Sequence, residues 1–321
     1  MKLFITGNGF DLYHGLNTSY YAFGYFLKLN NRKLYDTLVE CFHFTDLPTD
    51  CGELNKSKHA LWSDFESNLA EFDTESILDS FQEYAPRITS PDFSDKDWHT
   101  FSVVMQGLLE EITDGLLNEF KCFICQVKYK DLKSGQKLNL SNNDIYINFN
   151  YTNTLEYYYS IEKNKILYLH GDASLHEDML ILGHGIDPEN FVESPEKPPE
   201  NATDEELMQW EEYMADKYDY AFESGKNTIN QYFKQSFKNT AQVISSSKEF
   251  FSYLGRVKEI IIIGHSLSEV DMPYFVAINQ LVQPDTTWTA TFYLEHEREQ
   301  HRLAMQRIGV KNPNIISINS L

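Results

Sequence analysis

The run Glu259-Ile260-Ile261-Ile262-Ile263-Gly264-His265-Ser266 constrains the fold more than any other stretch of the chain. Its four consecutive isoleucines show no alternation of apolar and polar residues, so a strand made from them must be covered on both faces. Strands of that kind sit at the centre of parallel sheets with helices on either side. The Gly-His-Ser that follows ends the run and turns the chain toward Asp271-Met272-Pro273, which opens a helix. The sequence therefore predicts an α/β protein with a Rossmann-like, mostly parallel sheet.

Further strands are read around this one. Lys2–Thr6 runs into Gly7-Asn8-Gly9-Phe10-Asp11-Leu12 and a short helix ending near Gly15. Strand, glycine turn and helix in that order present backbone N–H groups to a phosphate. The pattern departs from G-x-G-x-x-G because position 12 is leucine. Asp11 is awkward beside a phosphate; it either caps the helix or holds a ribose hydroxyl. Ile145, Ile147 and Phe149 alternate as a second strand. Asn150-Tyr151-Thr152 then form a polar switch at its C-terminal end, with Thr152 or Asn153 as cap of a helix carrying Leu155, Tyr158 and Tyr159. Taken alone, that switch is equally a corner whose Asn and Thr only cap a helix. Lys165–Leu169 is a strand ending in His170-Gly171, and Ile181-Leu182-Gly183-His184-Gly185 reads as another short strand and turn. The last unit is strand 288–294, helix 296–308 and strand 314–318.

Two long helical stretches interrupt the strands, within what reads as one domain over all 321 residues. Residues 18–140 form either an insertion or a layer on the sheet, broken where Pro86 and Pro91 stand. Trp62, Phe65 and Leu69 share a helix face there, and Glu66 beside it is expected to be solvated rather than a site carboxylate. Among the four cysteines, Cys122 and Cys125 form a C-x-x-C late in a helical pattern; without a second such pair or a nearby His, two buried thiols are expected, not zinc. Residues 188–255 form an acidic insertion. Its first helix places Leu207, Trp210, Met214 and Tyr218 on one stripe facing a surface or a partner, and residues 226–254 read as one long helix ending at Gly255.

A formal charge of −21 argues against non-specific binding to nucleic acid and to anionic membrane. No apolar run reaches spanning length, and Leu3-Phe4-Ile5 is too short for a signal peptide, so a cytoplasmic location is expected.

Parallel strands bring the turns Gly7-Asn8-Gly9, Asn150-Tyr151-Thr152, His170-Gly171, Gly183-His184-Gly185 and Gly264-His265-Ser266 to one sheet edge. That edge would hold phosphate donors, an amide and an imidazole suited to general-base work. Here the chain resembles a known family. Gly7-Asn8-Gly9-Phe10-Asp11 with His14-Gly15 and Thr18-Ser19-Tyr20, Phe149-Asn150-Tyr151-Thr152-Asn153-Thr154, His170-Gly171, and Gly264-His265-Ser266-Leu267 with Asp271 are similar to motifs of the bacterial abortive-infection AbiH family, in that family's order. AbiH in turn resembles the sirtuin-like proteins, several of which are phage-defence enzymes that hydrolyse NAD. Thr152 stands where the sirtuin motif has an Asp that contacts the nicotinamide amide.

The resemblance implies NAD as a substrate cleaved at its nicotinamide–ribose bond, without a metal. Asn150 would position ribose and water, and His170 would accept a proton. Gly7, Asn8 and Gly9 would bind pyrophosphate, with Phe10, Asp11, Tyr151 and Thr152 around the ribose and nicotinamide. Gly264, His265, Ser266 and Asp271 would hold the adenosine side. A homo-oligomer or a phage-derived activator is the expected partner. Two other classes compete. A serine hydrolase would use Ser266 on a strand-to-helix elbow, with Asp285, His296 or His301 completing a triad. A non-catalytic sensor would bind a nucleotide in the same crevice and leave it intact.

Overall fold

The computed structural model describes every residue except 51, 53, 55–57, 86–96, 176, 178 and 195. Six strands form one sheet: β1 (Lys2–Thr6), β2 (Ile145–Asn148), β3 (Ile166–Tyr168), β4 (Glu259–Ile263), β5 (Thr287–Phe292) and β6 (Asn314–Ser317). Every neighbouring pair is parallel, in the order β3-β2-β1-β4-β5-β6. The isoleucine run is central, with Ile260, Ile261, Ile262 and Ile263 registered on Leu3, Phe4, Ile5 and Thr6 of β1. Its side chains divide between the faces. Ile260 and Ile262 join Leu3, Ile5, Ile147 and Trp288 in one core, while Ile261 and Ile263 join Phe4, Tyr146 and Ile166 in another. Burying each contributes roughly 1.5–3 kcal/mol, enough to fix the register of the strand. The strand order reverses between β1 and β4, which is where sheets of this order leave a crevice at their carboxyl ends.

Helix α1 (Asn8–Tyr13) follows β1 directly. Before β2 come α2 (Tyr20–Asn30), α3 (Arg32–Cys41), α4 (Ala60–Ser63), α5 (Phe65–Asn68), α6 (Thr74–Ser80), α7 (Thr100–Glu110) and α8 (Leu116–Cys125). A π-turn over Glu111–Gly115 joins the last two. Helix α9 (Thr154–Tyr159) links β2 to β3, and α10 (Asp204–Lys217), α11 (Tyr220–Ile229), α12 (Gln231–Gln235), α13 (Thr240–Ser246) and α14 (Lys248–Phe251) precede β4. Helices α15 (Met272–Leu281) and α16 (Glu297–Ile308) make the last two crossovers.

The two helical insertions do not stand apart. Phe23, Phe65, Phe101 and Phe120 of the first share one aromatic core with Ile229, Tyr232 and Phe233 of the second. The Tyr232 hydroxyl donates to the Leu69 carbonyl at 2.9 Å, and Ser102 Oγ lies 2.9 Å from Thr228 Oγ1. Tyr151, just beyond β2, belongs to the same core, so this body rests on the carboxyl edge of the sheet. Phe251, with Val243 and Ile244, packs instead on the sheet core beside α15, so the end of the 188–255 segment is part of the sheet's own layer.

Several sequence expectations are corrected here. Ile181–Asp187 is not a strand of the sheet; it makes a single parallel bridge, His184 to Phe237. The expected helix 226–254 is interrupted at residues 236–239, where Asn239 caps a new helix by accepting from the Gln242 amide. Cys122 and Cys125 are exposed, because that helix turns Phe120, Phe123 and Ile124 inward. The Leu207, Trp210 and Met214 stripe does face outward: none of residues 204–215 is buried. Cys51 and the Pro86 and Pro91 break lie outside the described residues.

Candidate active site

At the reversal of strand order the two glycine turns interlock. The Gly7 amide donates to the Ile263 carbonyl at 3.1 Å and the Gly9 amide to the Gly264 carbonyl at 2.6 Å. Gly264 has φ +62°, and a Cβ there would lie 2.2 Å from the Phe10 nitrogen. Only glycine fits such backbone-to-backbone contact. The Gly7 and Gly9 amides expected to hold pyrophosphate are therefore satisfied by protein. Phe10, expected beside the ligand, is a fully buried core residue with its ring tilted against those of His14 and Tyr159. Asn8 accepts from the Thr18 hydroxyl at 2.6 Å.

Beside this crossing lies a buried amide and hydroxyl network. Thr6 donates to Asn148 Oδ1 at 2.8 Å, the Asn150 amide donates to the same oxygen at 3.1 Å, and Asn150 Nδ2 donates to the Gly7 carbonyl at 3.0 Å. Asp11 neither caps α1 nor faces solvent. Its carboxylate accepts from Thr152 Oγ1 at 2.6 Å and Thr154 Oγ1 at 2.7 Å. Burial pushes its pKa up to about 6, against the hydrogen bonds from Thr152, Thr154 and Asn150. Thr152 is thus committed to Asp11. Asn153 takes the N-cap position of α9 without a side-chain cap, its Oδ1 accepting from the Tyr129 hydroxyl at 2.5 Å.

The third group sits at the ends of β3 and β4. His170 is 2% exposed, between the rings of Phe149, Tyr151 and Tyr274. Its ring bonds the Phe149 backbone in a way that favours the protonated ring, which a carbonyl acceptor does, and its Nε2 has no partner. Nε2 is therefore a bare acceptor, 3.6 Å from Asp271 Oδ1. His265 accepts the Leu267 amide at Nδ1, 2.9 Å, and places Nε2 3.5 Å from Asp271 Oδ2. Lys238, 1% exposed, donates to Asp271 Oδ1 at 2.9 Å and Glu66 Oε2 at 2.5 Å. Tyr20 donates to Glu66 Oε1 at 2.5 Å; Tyr151 donates to the Ile181 carbonyl at 2.8 Å.

The charges follow from these contacts. Burial opposes the charge on Asp271, yet Lys238 and the two imidazoles hold it well below the usual carboxylate range. Burial likewise opposes the Lys238 charge, but Asp271 and Glu66 outweigh it and keep the lysine cationic. Burial, then the Lys238 cation, lowers His170 to about 3, and burial lowers His265 to about 4. Both imidazoles are neutral at neutral pH. Glu66 is raised by burial, against the pull of Lys238; its expected solvated role does not hold.

Of the predicted site residues, Asn150, Thr152 and Asp11 share one network region, and His170, His265 and Asp271 meet in the other, with the Tyr151 ring against His170. Ser266 is exposed and makes no side-chain hydrogen bond among the described residues; the imidazole beside it is occupied by Leu267 and Asp271. The sequence reading missed Lys238. Its signal was the Asn239-Thr240 cap, which ends one helix pattern and starts another. Cavities of about 420 and 270 Å³ lie elsewhere, one along Tyr218, Tyr220 and Asn227, the other against Ile112, Leu116 and Tyr232. Among the described residues no His, Cys, Asp and Glu set is arranged to hold a metal, and no helix is long and apolar enough to cross a membrane.

A parallel sheet in the order of dinucleotide-binding folds, with a buried acid–base cluster at its carboxyl edge and a helical body over it, defines a Rossmann-type α/β protein with an occluded polar site. Comparison with curated proteins and with solved structures finds no match. The family model described as bacteriophage abortive infection AbiH matches residues 3–292, so the chain belongs to the AbiH family of abortive-infection antiphage proteins.

Proposed function

We propose that this chain is an NAD+ hydrolase acting in abortive infection. The observation that carries the reading is the unpartnered His170 Nε2 at the carboxyl end of β3, 3.6 Å from Asp271 Oδ1, in a sheet of dinucleotide-binding order. The C1′–N bond breaks with its electron pair leaving on neutral nicotinamide, so little acid catalysis is needed. Water adds to C1′ of an oxocarbenium-like ribosyl group, and its proton passes to His170 Nε2. Asp271 stabilises the imidazolium that forms, in place of the adenosine-ribose role foreseen for it. Asn150, anchored to Gly7 and Asn148, places the ribose. Pyrophosphate binding by Gly7 and Gly9 requires their turn to part from Gly264, and substrate entry requires the helical body to lift from the edge.

The interlocked glycine turns favour one second reading, a sensor that binds a nucleotide without consuming it. Free nicotinamide, measured after incubating the pure protein with NAD+, separates the two. The enzyme releases it; the sensor binds NAD+ and releases none. Protein from phage-infected cells, as a second arm, supplies any activating partner.

A further inference from the structure

We propose that Lys238 is a positioning residue of this site: bridging Glu66 and Asp271, it holds Asp271 Oδ1 against the bare Nε2 of His170, so that carboxylate and imidazole together face one hydroxyl donor, a water or a sugar hydroxyl. This rests on the reading of the carboxyl edge as the reacting site. Three distant segments build the arrangement. Glu66 comes from α5, Lys238 from the break between α12 and α13, and Asp271 from the start of α15. Without a cation, Glu66 and Asp271 would repel across the site, and Asp271 would have only Ser268 Oγ, at 3.2 Å, as a hydroxyl donor.

The Gly183-His184-Gly185 turn, unused by the mechanism, is what seats the lysine. The His184 amide donates to the Ser236 carbonyl at 3.0 Å and the Lys238 amide to the His184 carbonyl at 2.8 Å. A Cβ on Gly183 would lie 1.9 Å from the Ser236 carbonyl oxygen, and one on Gly185 3.1 Å from Val270 Cα. The turn is thus wedged between the segment that carries Lys238 and the residue before Asp271. Such a clamp fixes the distance between ammonium and carboxylate from the backbone.

The groups facing His170 are Asp271 and Tyr274 from α15, His265 after β4, Tyr151 after β2, and Lys238, with Glu66 and Tyr20 reached through the lysine. Lys238 is the one cation among them, so its removal leaves the imidazole facing uncompensated carboxylate.

The test compares wild type, Lys238→Arg and the charge-balanced pair Lys238→Met with Glu66→Gln, all in the full chain. The His170 ring is followed by NMR from about pH 2.5 to 7 without substrate, a window that spans its depressed midpoint, and assigned with His170→Gln. In the folded double variant its titration midpoint rises by about 1 pH unit or more, while Lys238→Arg stays close to wild type. With NAD+, kcat of the double variant falls about 100-fold and KM changes less than about threefold. An unmoved His170 titration in the folded double variant overturns the positioning role. The titration needs no turnover, so a wild type that releases no nicotinamide defeats the NAD+ reading alone.

Discussion

Two parts of one sheet edge were equally marked in the sequence and turned out differently. At the reversal of strand order, Gly7, Gly9 and Gly264 are consumed by each other, backbone against backbone. At the ends of β2 and β3, Asn150 enters the buried amide and hydroxyl network around Asp11, and His170 enters the ion cluster around Asp271 with an unused nitrogen. The same glycine that permits a backbone to approach a phosphate permits it to approach another backbone. A glycine turn therefore marks close approach, and only the neighbouring polar groups tell what approaches. The unpartnered His170 nitrogen carries the functional argument here because it lies 3.6 Å from a buried carboxylate oxygen.

The contrast is broken or sharpened by substitutions on each side. Gly264→Val should have the largest effect on stability, more than about 4 kcal/mol by chemical denaturation, because both φ and space exclude a side chain. A small loss would mean the turns separate readily, and would restore the glycines as ligand groups. Lys238→Met should come next, losing about 3–5 kcal/mol by leaving two buried carboxylates unpaired, whereas adding Glu66→Gln should recover much of that loss.

Asp11 sits between the two regions and gives a signed pH test. Its pKa is about 6 in the fold against an ordinary 3.8, so the stability it contributes is fully present below about 3.8 and is lost as pH rises through about 6. Asp11→Asn should then be more stable than wild type at pH 7 by on the order of 2–3 kcal/mol, the gap closing toward pH 4. His170 runs the other way. Depressed to about 3 from 6.5, its neutral form supports the fold above 6.5, and that support is lost as pH falls toward 3. His170→Gln should remove part of this acid sensitivity, measured by thermal unfolding between pH 5 and 7, at a cost near pH 7 within about 1 kcal/mol.

The sheet was legible because its signal is local. An unalternating run such as Ile260–Ile263 has one satisfactory environment, and Asn150 and His170 follow strands whose ends are visible in the sequence. The ion cluster was not legible, since Glu66 and Lys238 are 172 residues apart and Glu66 looks solvated in its own helix pattern. Gly183-His184-Gly185 was misread as the end of a strand for a related reason. An apolar pair before a glycine turn fits a strand end, and only the partner segment at 236–238 reveals a clamp. Cys122 and Cys125 failed more simply, through the phase of a helix that turns Phe123 and Ile124 inward instead.

The central claim is that the Asn150 and His170 side of the edge performs chemistry on NAD+. Its most direct measurement is nicotinamide release by wild type, Asn150→Ala and His170→Gln, each first shown to be folded, using pure protein and protein from phage-infected cells. The account predicts release by wild type and a loss of about 100-fold or more in both variants. Release by His170→Gln at the wild-type rate, or intact NAD+ in both arms with wild type, would contradict it.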